Sequence, residues 1–210
     1  MDDLLRNWRT CVTHLTRATS ADVVNAGRDL VQRWSEPHRS YHDVEHLQAV
    51  LRHIGTLRSH ATDPEICMVA AWFHDAVYEG RPGVDERASA ALAAEVLERL
   101  GVPGDLVKEV VRLVELTATH TPEAGDANGA VLCDADLAIL GSPPAEYAAY
   151  TAAVRDEYAH VPEADFHAGR AAVLRHLLAR DPLYATSTAR ELWEDRARHN
   201  ITTELARMIT

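Results

Sequence analysis

The segment of residues 68–77, MVAAWFHDAV, constrains the fold more than any other part of the sequence. It is apolar almost throughout, but it contains an adjacent histidine and aspartate, His74 and Asp75. Just upstream, Asp63 and Pro64 are residue types preferred at a helix N-cap and in the first helical turn. We therefore predict a mostly buried helix of about four turns that carries His74 and Asp75 into the interior.

A buried carboxylate at Asp75 needs a partner, because an unpaired charge in a protein interior costs several kcal/mol. Three kinds of partner are possible: an arginine, a network of hydrogen bonds or a metal ion. The positions of the other histidines and aspartates in the chain favour the metal ion.

Helical spacing dominates the rest of the chain, and no segment shows a convincing strand alternation. Apolar residues recur on one face of residues 2–15, and Ser20 and Asp43 are placed to cap the second and third helices. Residues 121–130 are polar and contain glycine, so we expect a loop there. The sequence predicts one all-α domain, residues 1–210, built from about eight to ten helices.

The composition limits the partners and the compartment. The net charge of −11 disfavours long nucleic acids, whose phosphates need a basic surface. A small phosphate ester remains compatible, because a metal ion and one or two arginines can supply local positive charge. No apolar run reaches the roughly 18 residues that cross a membrane, and the acidic N-terminus is unlike a signal peptide. We expect a cytoplasmic protein without a membrane partner and without a disulfide framework.

Three places outside the His74–Asp75 pair could contribute to chemistry, and each has an ordinary structural explanation as well. His42 and His46 are four residues apart and share a face if both are helical. Asp134 and Asp136 lie in the apolar run VLCDADLAIL, where one of the two is expected to cap a helix. His120 follows a predicted helix, whose dipole alone favours a histidine at that end.

Taken together, the order of these residues is more specific than any one of them. A histidine, a His-Asp pair and a later aspartate each lie on or beside an apolar helix, which supplies two imidazoles and two carboxylates. This set of nitrogen and oxygen ligands suits a divalent first-row metal ion or Mg²⁺, with positions left for water and substrate oxygens.

The order His46, His74-Asp75 and Asp136 resembles the signature of the HD-domain superfamily of metal-dependent phosphohydrolases. The closer resemblance is to a small bacterial group described as predicted metal-dependent HD phosphohydrolases. Its YHxxxH, FHDxVY and DADLxxLG segments match residues 41–46, 73–78 and 134–141, and the resemblance extends over about residues 8–205. One departure is a shortened ATxxH segment, here Ala118-Thr119-His120.

This resemblance implies an HD-type helical bundle that holds one divalent ion, with Mn²⁺ or Mg²⁺ ahead of Fe, Co, Ni or Zn. It favours Asp136 over Asp134 as the last ligand, because in the family that ligand directly precedes a hydrophobic run. The implied metal ligands are His46, His74, Asp75 and Asp136. The candidates for catalysis are His42, Glu79, His120 and Asp134, and those for substrate binding are Arg39, His42 and Glu86.

The implied activity is hydrolysis of a small phosphate ester or nucleotide by a metal-activated water, in a monomer or a homodimer. One alternative is an HD-type di-iron oxygenase, whose relatives carry extra histidines between the HD pair and the last aspartate. Only His120 lies in that interval here, which makes a complete second iron site unexpected. Another alternative is a non-catalytic sensor that binds a metal ion or a nucleotide.

Overall fold

The computed structural model describes residues 2–208, and within that range it contains ten α-helices and no β-strand. The all-α prediction is confirmed. The helices are α1 Asp2–Val12, α2 Ser20–Trp34, α3 Val44–Leu57, α4 Pro64–Phe73, α5 Asp85–Arg99, α6 Gly104–Leu116, α7 Ala127–Asp136, α8 Pro144–Glu157, α9 Glu163–Leu178 and α10 Ser187–Arg207; short 3-10 segments follow α3 (Arg58–His60) and α7 (Leu137–Gly141). None of the described helices combines the length and the apolar character needed to span a bilayer.

Helix α4 is the centre of the bundle, because α1, α3, α5, α6 and α7 all pack against it. Its last residues, Trp72 and Phe73, are fully buried. Trp8 of α1 packs edge-on against both of these rings, with centroid separations of 5.4 and 5.9 Å. The apolar residues 69–73 therefore lie in the core of the bundle.

The helix is shorter than predicted, since it ends at Phe73 and leaves His74 in the C-cap position. The expectation of a helix continuing through the His-Asp pair is wrong. Beyond the end of the helix, the buried guanidinium of Arg39 donates hydrogen bonds to the carbonyls of Asp75, at 2.7 Å, and Ala76, at 3.4 Å. These bonds satisfy carbonyl groups that follow the helix and would otherwise lack partners.

The helix starts follow local capping rules. Asp43 caps α3 as predicted, and its carboxylate accepts from the backbone N–H groups of residues 45 and 46 at 2.8 and 3.2 Å. Helix α2 is capped by Thr19 and not by Ser20, because Thr19 and Asp22 form a reciprocal capping box.

Helix α7 begins at Ala127, inside the segment that was predicted to be a loop. Asp126 caps it by accepting a hydrogen bond from the backbone N–H of Gly129 at 2.9 Å. The helix packs against α3, α4 and α6 and ends at Asp136. This packing brings the end of α7 to the start of α3 and the end of α4, where the candidate metal ligands lie.

Candidate metal centre

Three helices each contribute one side chain to a compact cluster. His46 lies in the first turn of α3, His74 caps the C-terminal end of α4, and Asp136 is the last residue of α7. Both histidines are buried, with 6% and 1% of their surface exposed. These three residues form a group whose ligand atoms could hold one metal ion.

The three ligand atoms form a triangle of a size that suits an ion. His46 Nε2 lies 3.2 Å from His74 Nε2 and 3.1 Å from Asp136 Oδ1, and the third side measures 3.5 Å. Donor atoms about 2.1 Å from a common ion are about 3.0 Å apart at right angles and about 3.4 Å apart at tetrahedral angles. The observed separations fall close to these values.

His74 is held in the orientation that a ligand requires. Its Nδ1 lies 2.8 Å from the carbonyl oxygen of Ala71, and since a carbonyl can only accept, Nδ1 carries the proton. Nε2 is then the ring nitrogen that faces the cluster, and it can bind a metal ion once the ion displaces its proton. The indole of Trp34 packs against the imidazole, with ring centroids 5.3 Å apart.

Asp75 lies at the edge of the triangle and could add a fourth donor. Its Oδ2 is 3.2 Å from His74 Nε2 and 3.9 Å from His46 Nε2. The separation of 3.9 Å is longer than that of adjacent ligand atoms, and it is expected when two ligand atoms lie toward opposite sides of one ion. The peptide carbonyl of Asp75 is held by Arg39, so the backbone beneath this carboxylate is fixed as well.

The electrostatics of the cluster suit a cation. Burial lowers the pKa of His46, which favours its neutral imidazole. Burial opposes charge on His74 too, but the carboxylates of Asp75 and Asp136 outweigh it and hold the pKa of His74 well above its ordinary value. Despite their burial, His74 lowers the pKa of both carboxylates, and hydrogen bonds from His120 and His46 lower that of Asp136 further. Both carboxylates are thus ionised and available to a divalent ion.

His42 approaches the cluster, but not along a helix. It precedes the N-cap of α3, so the prediction that His42 and His46 share a helical face is wrong. The loop instead brings the two rings to a centroid separation of 5.6 Å. His42 Nδ1 lies 2.7 Å from Oε2 of Glu157 and must donate to it, which leaves Nε2 for other partners. Tyr78 stacks on the imidazole at 4.2 Å.

His120 reaches the second oxygen of Asp136, with Nε2 and Oδ2 2.7 Å apart. Its backbone is left-handed, with φ of 49°, a conformation that costs a residue other than glycine about 1 kcal/mol or more. Arg180 holds this turn by donating to the carbonyls of His120 and Thr119 at 2.6 and 2.7 Å. The short Ala118-Thr119-His120 segment therefore still places its histidine against the cluster.

Two predicted site residues lie elsewhere. The side chain of Arg39 is fully buried and bound to Glu36 and to backbone carbonyls, so its proposed role in contacting substrate is wrong. Glu79 is exposed and does not line the cavity next to the cluster, so its catalytic role stays a prediction. The position of Arg39 near a histidine in the sequence does not reveal that its guanidinium binds the backbone that follows α4.

Asp134 also points away from the cluster. Its buried carboxylate accepts hydrogen bonds from the backbone N–H groups of Ala185 and Thr186, at 2.9 and 2.7 Å, directly before α10. This is a structural role and not the catalytic one that was expected. Glu86, by contrast, lines the cavity, where its carboxylate accepts from the N–H of Gly83.

No sequence pattern pointed to Glu157, whose carboxylate organises the loop before α3. Its carboxylate is 2% exposed and binds His42, Tyr78 and three consecutive backbone N–H groups of residues 40–42. Glu157 is one of two adjacent acidic residues at the end of α8, and it lies 115 positions from its histidine partner. No local pattern could have paired the two.

A cavity of about 780 Å³ adjoins the cluster, a size typical of small-molecule sites. His46, Asp75 and Asp136 lie in its wall beside His42 and His120. The cavity extends outward between the start of α5, the end of α8 and one face of α9.

Comparisons with protein-family models, with curated proteins and with solved structures found no match for this chain. The resemblance to the HD-domain superfamily therefore stays a prediction that rests on the residues themselves.

Proposed function

We propose that the protein is a metal-dependent phosphohydrolase that acts on a small phosphate ester. The observation that carries the proposal is the convergence of His46, His74 and Asp136, at distances suited to one ion, beside a ligand-sized cavity. The sequence order that resembles HD phosphohydrolases supports the same assignment. The single ion is held by these three residues together with Asp75.

When bound, a divalent ion supplies Lewis acidity toward a phosphoryl oxygen and makes water a better nucleophile at neutral pH. The donor set of imidazoles and carboxylates accommodates Mn²⁺ or Mg²⁺ first, and Fe, Co, Ni or Zn as well. Hydrolysis forms a bond from a water oxygen to phosphorus and breaks the ester P–O bond, and the departing alcohol takes up a proton.

The residues around the cluster have complementary tasks in this reaction. Glu157 orients His42 so that Nε2 is the ring nitrogen left for the phosphoryl group or the leaving oxygen. His120 holds one oxygen of Asp136 and so directs the other oxygen toward the imidazole pair. Leu137 and Ile139 border the same cavity and make this part of its wall apolar.

The test combines metal analysis with turnover. We expect about one divalent ion per chain in the purified protein and release of inorganic phosphate from a panel of phosphate esters without consumption of O₂. Replacing His46, His74, Asp75 or Asp136 with alanine should each remove the metal ion and abolish turnover, while the helical circular dichroism signal is retained.

Asp134→Ala is the matched control for these variants, because it removes a neighbouring carboxylate that faces away from the cluster. It should keep the metal ion and the activity. Loss of metal from Asp134→Ala with full occupancy in Asp136→Ala would contradict the assignment of the ligands. Two irons per chain with O₂ consumption would replace the hydrolase by an oxygenase.

A further inference from the structure

The cavity is much larger than one phosphoryl group needs. A phosphoryl group at the cluster would occupy only the end near His46 and Asp136, while the cavity of about 780 Å³ continues to α9. The rest of a substrate would fill that outer space. The residues that line this outer space therefore indicate what kind of alcohol the ester contains.

Most of the exposed lining is apolar. Val154 and Tyr158, at the end of α8, face Phe166 and Val173 of α9 across this part of the protein. The rings of Tyr158 and Phe166 have centroids 6.0 Å apart. Val173 is 54% exposed although it is a large apolar residue. An apolar substrate body would remove these surfaces from water.

The arginines in the wall are already engaged. Arg170 donates to Glu204 from two nitrogens, at 2.8 and 3.2 Å, and to Tyr150 Oη from the third, at 2.8 Å. Its charge is therefore neutralised by a carboxylate. Arg180 donates from its two terminal nitrogens to the backbone carbonyls of residues 119 and 120.

The outer end of the cavity carries more carboxylates than free cations. Arg81 lines it, but its guanidinium lies 3.3 Å from a carboxylate oxygen of Asp85. Glu86 and Asp165 are further carboxylates in the same wall. A chain of phosphates extending outward from the cluster would meet this negative charge without a matching set of cations.

From this lining we infer that the substrate class is a phosphate monoester of an apolar alcohol carrying a ring, and not a nucleoside polyphosphate or a sugar phosphate. The inference rests on the proposed hydrolase function. The single phosphoryl group lies at the cluster, and the apolar body lies between the end of α8 and α9.

The first test compares two monoesters of similar intrinsic reactivity and includes ATP, a more reactive anhydride, as the polyphosphate. 2-Phenylethyl phosphate and glycerol 1-phosphate both release a primary alcohol, so the difference in kcat/KM reports on the body of the substrate. With Mn²⁺ present, we expect kcat/KM at least about tenfold higher for 2-phenylethyl phosphate than for glycerol 1-phosphate or ATP. Equal or faster turnover of glycerol 1-phosphate or ATP would overturn the inference while leaving the hydrolase function intact.

The second test measures binding without turnover. The metal-loaded protein should bind 3-phenylpropylphosphonate at least about tenfold more tightly than methylphosphonate in titration calorimetry. Val173→Asp should abolish that preference, since it adds a charge to the apolar wall at an exposed position that folding tolerates. Leu192→Asp is the matched control, an exposed apolar position on α10 outside the cavity, and it should keep the preference.

The two proposals fail in different ways. A preference for the phenyl phosphonate that Val173→Asp removes, in a protein that hydrolyses none of the esters, would support the apolar site and overturn the hydrolase. Equal binding of both phosphonates, or a preference unchanged by Val173→Asp, would overturn the apolar site whatever the activity.

Discussion

At the scale of single residues, Glu157 is the group on which the loop before α3 depends. Its Oε1 accepts from the backbone N–H groups of residues 40, 41 and 42 at 2.9, 2.7 and 2.8 Å. Its Oε2 accepts from His42 at 2.7 Å and from Tyr78 Oη at 3.0 Å. A neutral amide at this position would turn an N–H group toward one of these donors.

We expect Glu157→Gln to lower the free energy of unfolding by about 3 kcal/mol, because buried donors lose their charged acceptor. Urea denaturation measures this change. Asp156→Asn is the matched control, since its carboxylate accepts from Ser40 Oγ at the surface, and it should cost under about 1 kcal/mol. Equal decreases in the free energy of unfolding in the two variants would show that Glu157 contributes no more to stability than a surface carboxylate does.

The contact between Glu157 and His42 predicts that the stability of the protein depends on pH. Burial would raise the pKa of Glu157, but His42 and the backbone donors lower it to about 2, below its ordinary 4.5. Burial would lower the pKa of His42, but Glu157 together with Asp75 and Asp136 raises it above 6.5. Stability from Glu157 is present above pH 4.5 and is lost as pH falls toward 2. Stability from His42 is present below pH 6.5 and is lost as pH rises through the pKa of the folded state.

The free-energy difference between the wild type and Glu157→Gln, both in chelator, should therefore be largest between about pH 4.5 and 6.5. Denaturation series at pH 3, 5.5 and 9 measure it. A difference that keeps growing from pH 5.5 to pH 9 would contradict the predicted pairing.

At the scale of elements, α1 and α2 pack closely because position 27 has no side chain. A Cβ atom on Gly27 would lie 2.4 Å from Cδ1 of Trp8, and Trp8 is fully buried and donates to the carbonyl of Val23 at 2.7 Å. The indole cannot move aside without losing that hydrogen bond. Gly55, in α3, has no neighbour within 4 Å of such a Cβ.

We expect Gly27→Ala to destabilise the protein by about 1–3 kcal/mol through overpacking. Gly55→Ala should stabilise it by about 0.5–1 kcal/mol, because alanine loses less backbone entropy in a helix. Thermal or urea denaturation of both variants tests the pair. A stabilising Gly27→Ala would mean that the α1–α2 contact is looser than described.

At the scale of the whole molecule, the cluster joins the start of α3 with the ends of α4 and α7. A metal ion that binds only the folded state stabilises it by about 2.7 kcal/mol at a hundredfold excess over its Kd. For a chain of this length that corresponds to a Tm increase of about 5 °C or more. Differential scanning fluorimetry with Mn²⁺ measures this shift.

Two variants separate metal binding from folding in that measurement. Asp136→Ala should show no shift with Mn²⁺. Asp134→Ala should start from a lower Tm, because two buried N–H groups before α10 lose their acceptor, yet it should retain the shift. A shift that persists in Asp136→Ala would place the ion elsewhere.

The sequence by itself determined the features that depend on neighbouring residues. Helical periodicity gave the all-α class, and Asp43 and Asp63 gave the starts of α3 and α4, because capping acts over three or four residues. The spacing of histidines and aspartates also drew attention to His46, His74 and Asp136. Thr19 caps α2 in place of Ser20, so these local rules located the start of that helix only to within about one residue.

The tertiary structure alone decided what depends on contacts between distant segments. Asp134 and Asp136 are two residues apart on one helix, yet packing turns one toward the backbone before α10 and the other toward the imidazoles. The buried positions of Arg39 and Glu157 likewise depend on partners about 36 and 115 residues away. A buried charge must be satisfied by whichever donors the fold brings near it, and the order of residues in the chain does not specify those donors.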